Sequence, residues 1–297
     1  MEESIDKNVI KKAIQMSGYL EEQKAINEFE KAGFFAGANF TFEDQDEHKS
    51  REVDFIATKY TDFTFGKTGL YFYVYGEVKM KSDPLVFFER KTQEREPLEY
   101  YIPVVATQQD FANLGTGLDI QRILKFKNIH HQMKHKLVST QFCVVDQRKV
   151  KAEHKDLYES LFVPLLKCID SEMQSIGRYT GFFDPLQQTY FLNIFQPIIV
   201  ISGTLCSYDV YKDDIIEKDY IIYRRHYSSS TVKRTLLIDI VSMKYLPQYL
   251  SELNKTYEAF ENAMSENVNK LLDYCSKDRE AQDLKVKEIA KRQGNKA

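Results

Sequence analysis

The sequence predicts a single mixed α/β domain, a central sheet flanked by helices, followed by a helical C-terminal extension. Three observations predict it. Helix-period and strand-period segments alternate along most of the chain. No Pro/Gly/Ser-rich linker or internal repeat divides its 297 residues, a length that can bury a sizeable core. The last apolar-periodic run, from Leu246 to Tyr274, reads as helix with no strand after it.

The elements follow in order. Residues from about 5 to 32 read as helix interrupted at Ser17-Gly18, with Ser17 as N-cap of the second piece. In that piece Glu22, Ala25, Ile26 and Phe29 share one face, and Gly33 ends it. Strand-like runs cover Phe34 to Phe42, Arg51 to Lys59 and Leu70 to Met80, with Ser82 and Pro84 stopping the third. Leu118 to Leu137 reads as a helix, Cys143 to Asp146 as a short strand, and Ala152 to Ile176 as a long amphipathic helix kinked at Pro164. Strand signals return at Tyr190 to Phe195, Ile198 to Ser202, Tyr220 to Arg224 and Leu236 to Ser242. The final helix carries a kink signal at Pro247, and the charged residues from Lys277 read as a frayed helix or a disordered tail. The expected units are therefore residues 1–245 as the α/β domain, 246–276 as the helical extension and 277–297 as the tail.

Composition narrows the function. The net charge of −3 gives no global basic field, so any nucleic-acid contact must be a local patch. Cys143, Cys168, Cys206 and Cys275 form no C-x-x-C pair, which fits reduced thiols better than a zinc knuckle. The charged start Met1-Glu-Glu-Ser-Ile-Asp-Lys7 has no signal-peptide core, and no apolar run approaches the ~20 residues that span a bilayer. A soluble cytoplasmic protein is the expectation.

The chemistry concentrates in two strands. Glu77 and Lys79 stand two apart in Tyr71-Phe-Tyr-Val-Tyr-Gly-Glu-Val-Lys79 and so share a face. Asp54, in Ser50-Arg-Glu-Val-Asp-Phe-Ile-Ala57, belongs to the strand expected beside it. Two carboxylates and an ammonium at the end of apolar strands suit a divalent cation and a phosphate; as surface groups they would form ordinary ion pairs. Tyr71, Tyr73 and Tyr75 share the face of Glu77, where cross-strand packing is favoured over base stacking.

Other constellations are weaker. Gly66-Lys-Thr68 lacks the first P-loop glycine, because Thr61 stands there, and a strand follows it rather than a helix. His131 and His135 have i, i+4 spacing for zinc on a helix, without the glutamate of H-E-x-x-H. The same segment carries Arg122, Lys125, Lys127 and Lys134, which with Lys81 form the candidate phosphate-contacting set.

The ordered set resembles the restriction-endonuclease-like superfamily with its PD-(D/E)XK motif. Gly18-Tyr-Leu-Glu-Glu22 is similar to its leading acidic helix. Arg51-Glu-Val-Asp-Phe-Ile-Ala57 is similar to the strand of its metal-binding Asp, although Val53 replaces the motif proline. Glu77-Val-Lys79 with Ser82 and Pro84 is similar to the (D/E)XK half, and Gln196 to Gly203 resembles a later core strand. The specific resemblance covers roughly residues 17–90. It implies a restriction-endonuclease-like fold and a metal-dependent nuclease acting on DNA, with RNA left open. Mg²⁺ or Mn²⁺ would bind Asp54, Glu77 and the Val78 carbonyl, Glu22 would reach a second metal or a bound water, and Lys79 would serve the attacking water. Many members pair to cut both strands, so a homodimer is a further implication. The competing expectations are a non-catalytic nucleic-acid-binding or assembly module on the same fold, and a phosphoesterase acting on nucleotides.

Overall fold

A computed structural model describes residues 6–63, 68–93, 96–106, 124–153, 158–180, 190–267 and 269. Its centre is one large mixed sheet with helices on both faces. Asp6 caps the first helix through hydrogen bonds from the Asn8 and Val9 amides. α1 (Lys7–Ser17) and α2 (Tyr19–Lys31) are separated by Gly18, whose φ of 88° is left-handed and natural only for glycine. The predicted interruption is therefore present, with one correction. Ser17 closes α1, its hydroxyl donating to the Ile14 carbonyl, and Gly18 takes the N-cap position of α2.

A meander follows: β1 (Phe35–Asp44), β2 (Lys49–Asp62) and β3 (Thr68–Met80), all antiparallel. After it come β4 (Leu85–Lys91), β5 (Val104–Ala106), β6 (Leu137–Asp146), β7 (Lys151–Glu153), β8 (Tyr190–Ser202), β9 (Leu205–Asp209), β10 (Asp214–Glu217), β11 (Tyr220–Ser228) and β12 (Lys233–Ser242). Among the described residues the sheet order is β1-β2-β3-β8-β12-β11-β6-β4-β9-β10, with β5 beside β8 and β7 beside β6. β8 lies parallel to β3 along its whole length.

Several sequence expectations need correction. Of the helix expected over 118–137, residues 118–123 lie outside the described residues, and the rest is a four-residue α3 (Phe126–Ile129), a 3-10 turn (His131–Lys134) and the start of β6. Lys125 is left-handed and His130 is extended, so these histidines and lysines share no helix face. The expected strand at 143–146 is the end of β6, and Ala152 belongs to β7. The long helix is α4 (Val163–Thr180), entered through a π-helical turn (Tyr158–Phe162). Pro164 sits in the first turn of α4, where a missing amide hydrogen bond costs nothing. Pro247 likewise opens the last helix, α5, described over residues 246–267.

The two strands expected on either side of Pro197 are one, β8. The Phe195 amide bonds the Pro103 carbonyl on the edge that β5 occupies, so by alternation Pro197 would aim its amide to that edge too. β5 has ended there at Ile194, and β12 begins only at Ile198. A proline in a central strand therefore sacrifices no ladder bond.

The core has two halves. On one face Ala25, Ile26 and Phe29 of α2 and Tyr249, Leu253 and Phe260 of α5 pack on Phe55, Phe72, Val74 and Val78. On the other, Leu165, Leu166 and Ile169 of α4 cover Tyr75, Phe195, Ile199 and Ile201.

Candidate metal and phosphate site

β2 and β3 part at the point where the carboxylates sit. Their last paired residues are Phe55 and Gly76. The next pair in register would be Asp54 opposite Glu77. Asp54 also lacks a ladder partner in β1, because Asn39, opposite it, is left-handed (φ 54°). Its carboxylate turns instead to β3 and accepts the Val78 amide hydrogen (2.7 Å to Oδ2). In a strand the N–H and C=O of one residue point to the same side, so the Val78 carbonyl opens toward Asp54 as well.

Gly76 makes this fork close. A Cβ there would lie 2.1 Å from Cζ of Phe55, whose ring is fully buried against Phe29. The bare backbone lets the Phe55 ring lie across β3 just before the strands separate.

Alternation then sets the directions. Val78 belongs to the α2 side of the core, while Tyr75 belongs to the α4 side, which Glu77 and Lys79 share. Glu77 is buried, whereas Asp54, Lys79 and Glu22 are half-buried. Burial pushes the Glu77 carboxyl well above the ordinary carboxylate range; Asp54 adds to the rise and Lys79 opposes it. Burial also raises Asp54, against the Val78 amide and Lys79. Glu22, in the first turn of α2, is raised by burial and then by Asp54 and Glu52, with Lys79 again opposing. Lys79 thus acts electrostatically on all three acids, and the three acids act on one another.

Asp54, Glu77 and Lys79 therefore meet at the fork, while Glu22, on α2, is joined to them through charge alone. Among the described residues no three His, Cys, Asp and Glu side chains converge into a cluster that could hold a metal by themselves. The donor set at the fork is two carboxylates and a backbone carbonyl, a hard oxygen set that fits Mg²⁺ or Mn²⁺ with retained waters. A buried and a half-buried carboxyl, both raised by burial with Lys79 only partly opposing, form an environment that a divalent cation would relieve.

The described members of the basic set, Lys81 apart, do not gather at the fork. Arg122 lies outside the described residues. Lys125 and Lys127 are exposed on either side of Phe126, which packs on Phe260. The next residue of α5, Glu261, accepts from Thr61, seven residues along β2 from Asp54 or roughly 23 Å. Exposed Lys134 precedes His135, whose ring lies on Tyr220 of β11, three strands from β3. Lys81 directly follows β3 and, among the described members of the set, is the one next to the site; its carbonyl packs against Gly203, where a Cβ would meet it at 2.3 Å. Gly66 and Lys67 are outside the described residues, and Thr68 opens a strand, so no phosphate-cradling helix follows them. The tyrosine row packs as expected: Tyr73 stacks on Phe195, and buried Tyr75 donates to Glu172 of α4 (3.2 Å).

The histidine spacing belongs to another centre. Asp239 is fully buried in β12 and accepts from His131 Nε2 (2.6 Å), Gln132 Nε2 (2.8 Å), Gln196 Nε2 (3.0 Å), Tyr220 (2.7 Å) and Tyr249 (2.7 Å). Thr256 of α5 contacts the other imidazole nitrogen at 3.3 Å. This buried hub ties β8, β11, β12, α5 and the segment 131–132 together. His131 is committed to it, which removes the His131/His135 zinc pair. The sequence signal was only an Asp inside an apolar strand, Leu236-Leu-Ile-Asp-Ile-Val241. Nor does local patterning reveal that α4 roofs the site, where buried Cys168 feels the charge of both Glu172 and Glu77.

No protein family, curated protein or solved structure matches this chain. Among the described residues no helix is long and apolar enough to cross a membrane.

Proposed function

We propose that this chain is a metal-dependent nuclease of the restriction-endonuclease-like kind, hydrolysing DNA phosphodiester bonds at the β2/β3 fork. One observation carries the reading. Asp54 and Glu77 stand in register one step past the last β2/β3 pair, with the Val78 amide held by Asp54. Further support comes from the order of elements, an acidic helix, an antiparallel meander and then a strand parallel to its third member.

Asp54, Glu77 and the Val78 carbonyl would hold Mg²⁺ or Mn²⁺, which when bound offsets phosphate charge and acidifies a coordinated water. Lys79, on the face of Glu77, orients the attacking water and offsets charge that develops on the phosphate. Glu22 holds water at the mouth of the fork from the start of α2. Lys81, next along the chain, meets an adjoining phosphate. The second reading, a non-catalytic nucleic-acid-binding module, draws on the separation of the other lysines from the fork.

The test is cleavage of linear duplex, supercoiled and single-stranded DNA, with RNA alongside, by wild type and Lys79→Ala in Mg²⁺, Mn²⁺ and EDTA. Metal-dependent cutting by wild type that the variant loses is the expected result. Equal cutting by the variant overturns the role assigned to Lys79. Absence of both cutting and metal binding in the wild type transfers the chain to the binding-module reading.

A further inference from the structure

α1 buries none of its residues. At 100° per residue, Met16, Val9, Ala13, Ile10 and Ile14 fill one arc of about 160°, interrupted only by Ser17, whose hydroxyl bonds the Ile14 carbonyl, and Lys7, Asn8, Lys11, Lys12 and Gln15 fill the opposite one. The apolar arc is open: Val9 is 64% exposed, Ile10 and Ile14 47%, and Met16 70%. Tyr19, just beyond Gly18, is 65% exposed. Lys7 borders this arc beside Ile14, and Lys12 borders it beside Met16. The helix itself has three lysines and no acid; Glu2, Glu3 and Asp6 all precede it.

We propose that α1 docks this protein on an anionic lipid surface. The apolar arc would enter the boundary between headgroups and acyl chains, and the flanking lysines would extend to the lipid phosphates. Other occupants satisfy only half of the helix. A nucleic acid would take the lysines and leave the apolar arc in water. A second copy of α1 would cover the arc, but a helix about 16 Å long offers far less than the ~800 Å² per partner of a stable interface. A lipid surface uses both faces at once, and its negative charge complements the lysines. This proposal is independent of the activity at the fork.

The experiment is flotation of the full chain with phosphatidylcholine vesicles and with phosphatidylcholine–phosphatidylglycerol vesicles, beside light scattering for mass in solution. The variants are Ile10→Asp with Ile14→Asp, and the single changes Lys7→Gln, Lys11→Gln and Lys12→Gln. No α1 side chain is buried, so each variant should keep the wild-type melting temperature. Wild type should float with the anionic vesicles alone. The isoleucine variant should not float, the Lys7 and Lys12 changes should each weaken binding about fivefold, the factor equivalent to ~1 kcal/mol per cation, and the Lys11 change, on the outward arc, should weaken it less. Failure of wild type to float, or floating unchanged by the isoleucine variant, overturns the proposal. So does a wild-type dimer that the isoleucine variant converts to monomer, which would assign the arc to self-association.

Discussion

Gly76→Ala should strain the fold and the candidate site together. The added Cβ would lie 2.1, 2.3 and 2.8 Å from Cζ, Cε1 and Cε2 of Phe55. Carbon atoms rest at about 3.5–4.0 Å, so the ring must retreat by at least about 1.4 Å. It has little room, because Phe29 stands behind it at 5.0 Å between centroids and both rings are fully buried. Overpacking of this kind costs ~1–3 kcal/mol, and backing by a second ring places this case near ~3 kcal/mol. For a chain of this size that lowers the melting temperature by roughly 6–12 °C. Phe55 follows Asp54 and Gly76 precedes Glu77, so displacing the ring should also shift both carboxylates and weaken the Mn²⁺ binding proposed for them. Thermal unfolding and calorimetric Mn²⁺ titration measure the two effects. Phe55→Leu in the Gly76→Ala background should recover part of the loss, giving a coupling of about 0.5–3 kcal/mol in a double-mutant cycle. A melting temperature within about 1 °C of wild type, well under the shift expected from ~1 kcal/mol, would refute the packing argument. Additive effects of the two changes would refute it as well.

Three further outcomes follow from the charges. Glu77→Gln should leave the metal-free protein as stable as wild type or more so, and abolish stabilisation by Mn²⁺; a full Mn²⁺ shift of melting temperature in the variant would show that Glu77 binds no metal. Because folding raises the Asp54 and Glu77 carboxyls, their contribution is fully present below the unfolded value near 4 and is lost as pH rises through the raised values. Metal-free wild type should therefore lose stability toward neutral pH, and the Asp54→Asn, Glu77→Gln double variant should lose less; parallel pH profiles would count against a buried acid pair. Asp239 is held below the ordinary range, despite burial, by His131, Tyr249 and Gln132, so its contribution is present above about 4 and lost as pH falls through the lowered value. Asp239→Asn would set a donor against groups that already donate and should cost ~3–5 kcal/mol, read by urea unfolding; a cost under ~1 kcal/mol would show that the hub is not a cooperative network.

The candidate site was legible in the sequence because its parts are local. Strand alternation alone places Glu77 with Lys79, and a meander of short connections brings Asp54 alongside. The end of α2 was legible too, since Gly33 terminates it and Ala25, Ile26 and Phe29 mark its buried stripe. The segment 124–137 was misread because its apolar and basic residues fit a helix period while its environment is set by distant partners. Phe126 is claimed by Phe260, and His131 by Asp239. Tertiary contacts more than a hundred residues away override local propensity there. Pro197 misled in the opposite way. It reads as a strand break, and only the places where β5 stops and β12 starts show that it is harmless.

The same long-range contacts explain how an unfavourable fork is tolerated. Separating β2 from β3 gives up ladder bonds and brings two acids together at a half-buried place. The loss is local, because β3 stays paired to β8 from Thr68 to Met80, and β8 to β12 through Ile201. Asp239 then joins β12 to β8 and β11 and to α5, which packs on the same face as α2. The acids therefore sit on the margin of a rigid frame. β3 cannot move away without breaking that frame, so the repulsion is relieved by protonation, as the raised carboxyls show, or, on the function proposed above, by a cation. On the function proposed above, such a site would bind metal at the expense of metal-free stability, a trade expected where buried charge serves function. The sharpest discriminator is the sign of the Glu77→Gln effect. Stabilisation without metal, joined to loss of Mn²⁺ binding, is what a functional acid pair requires, whereas a structural Glu77 would destabilise the chain under both conditions.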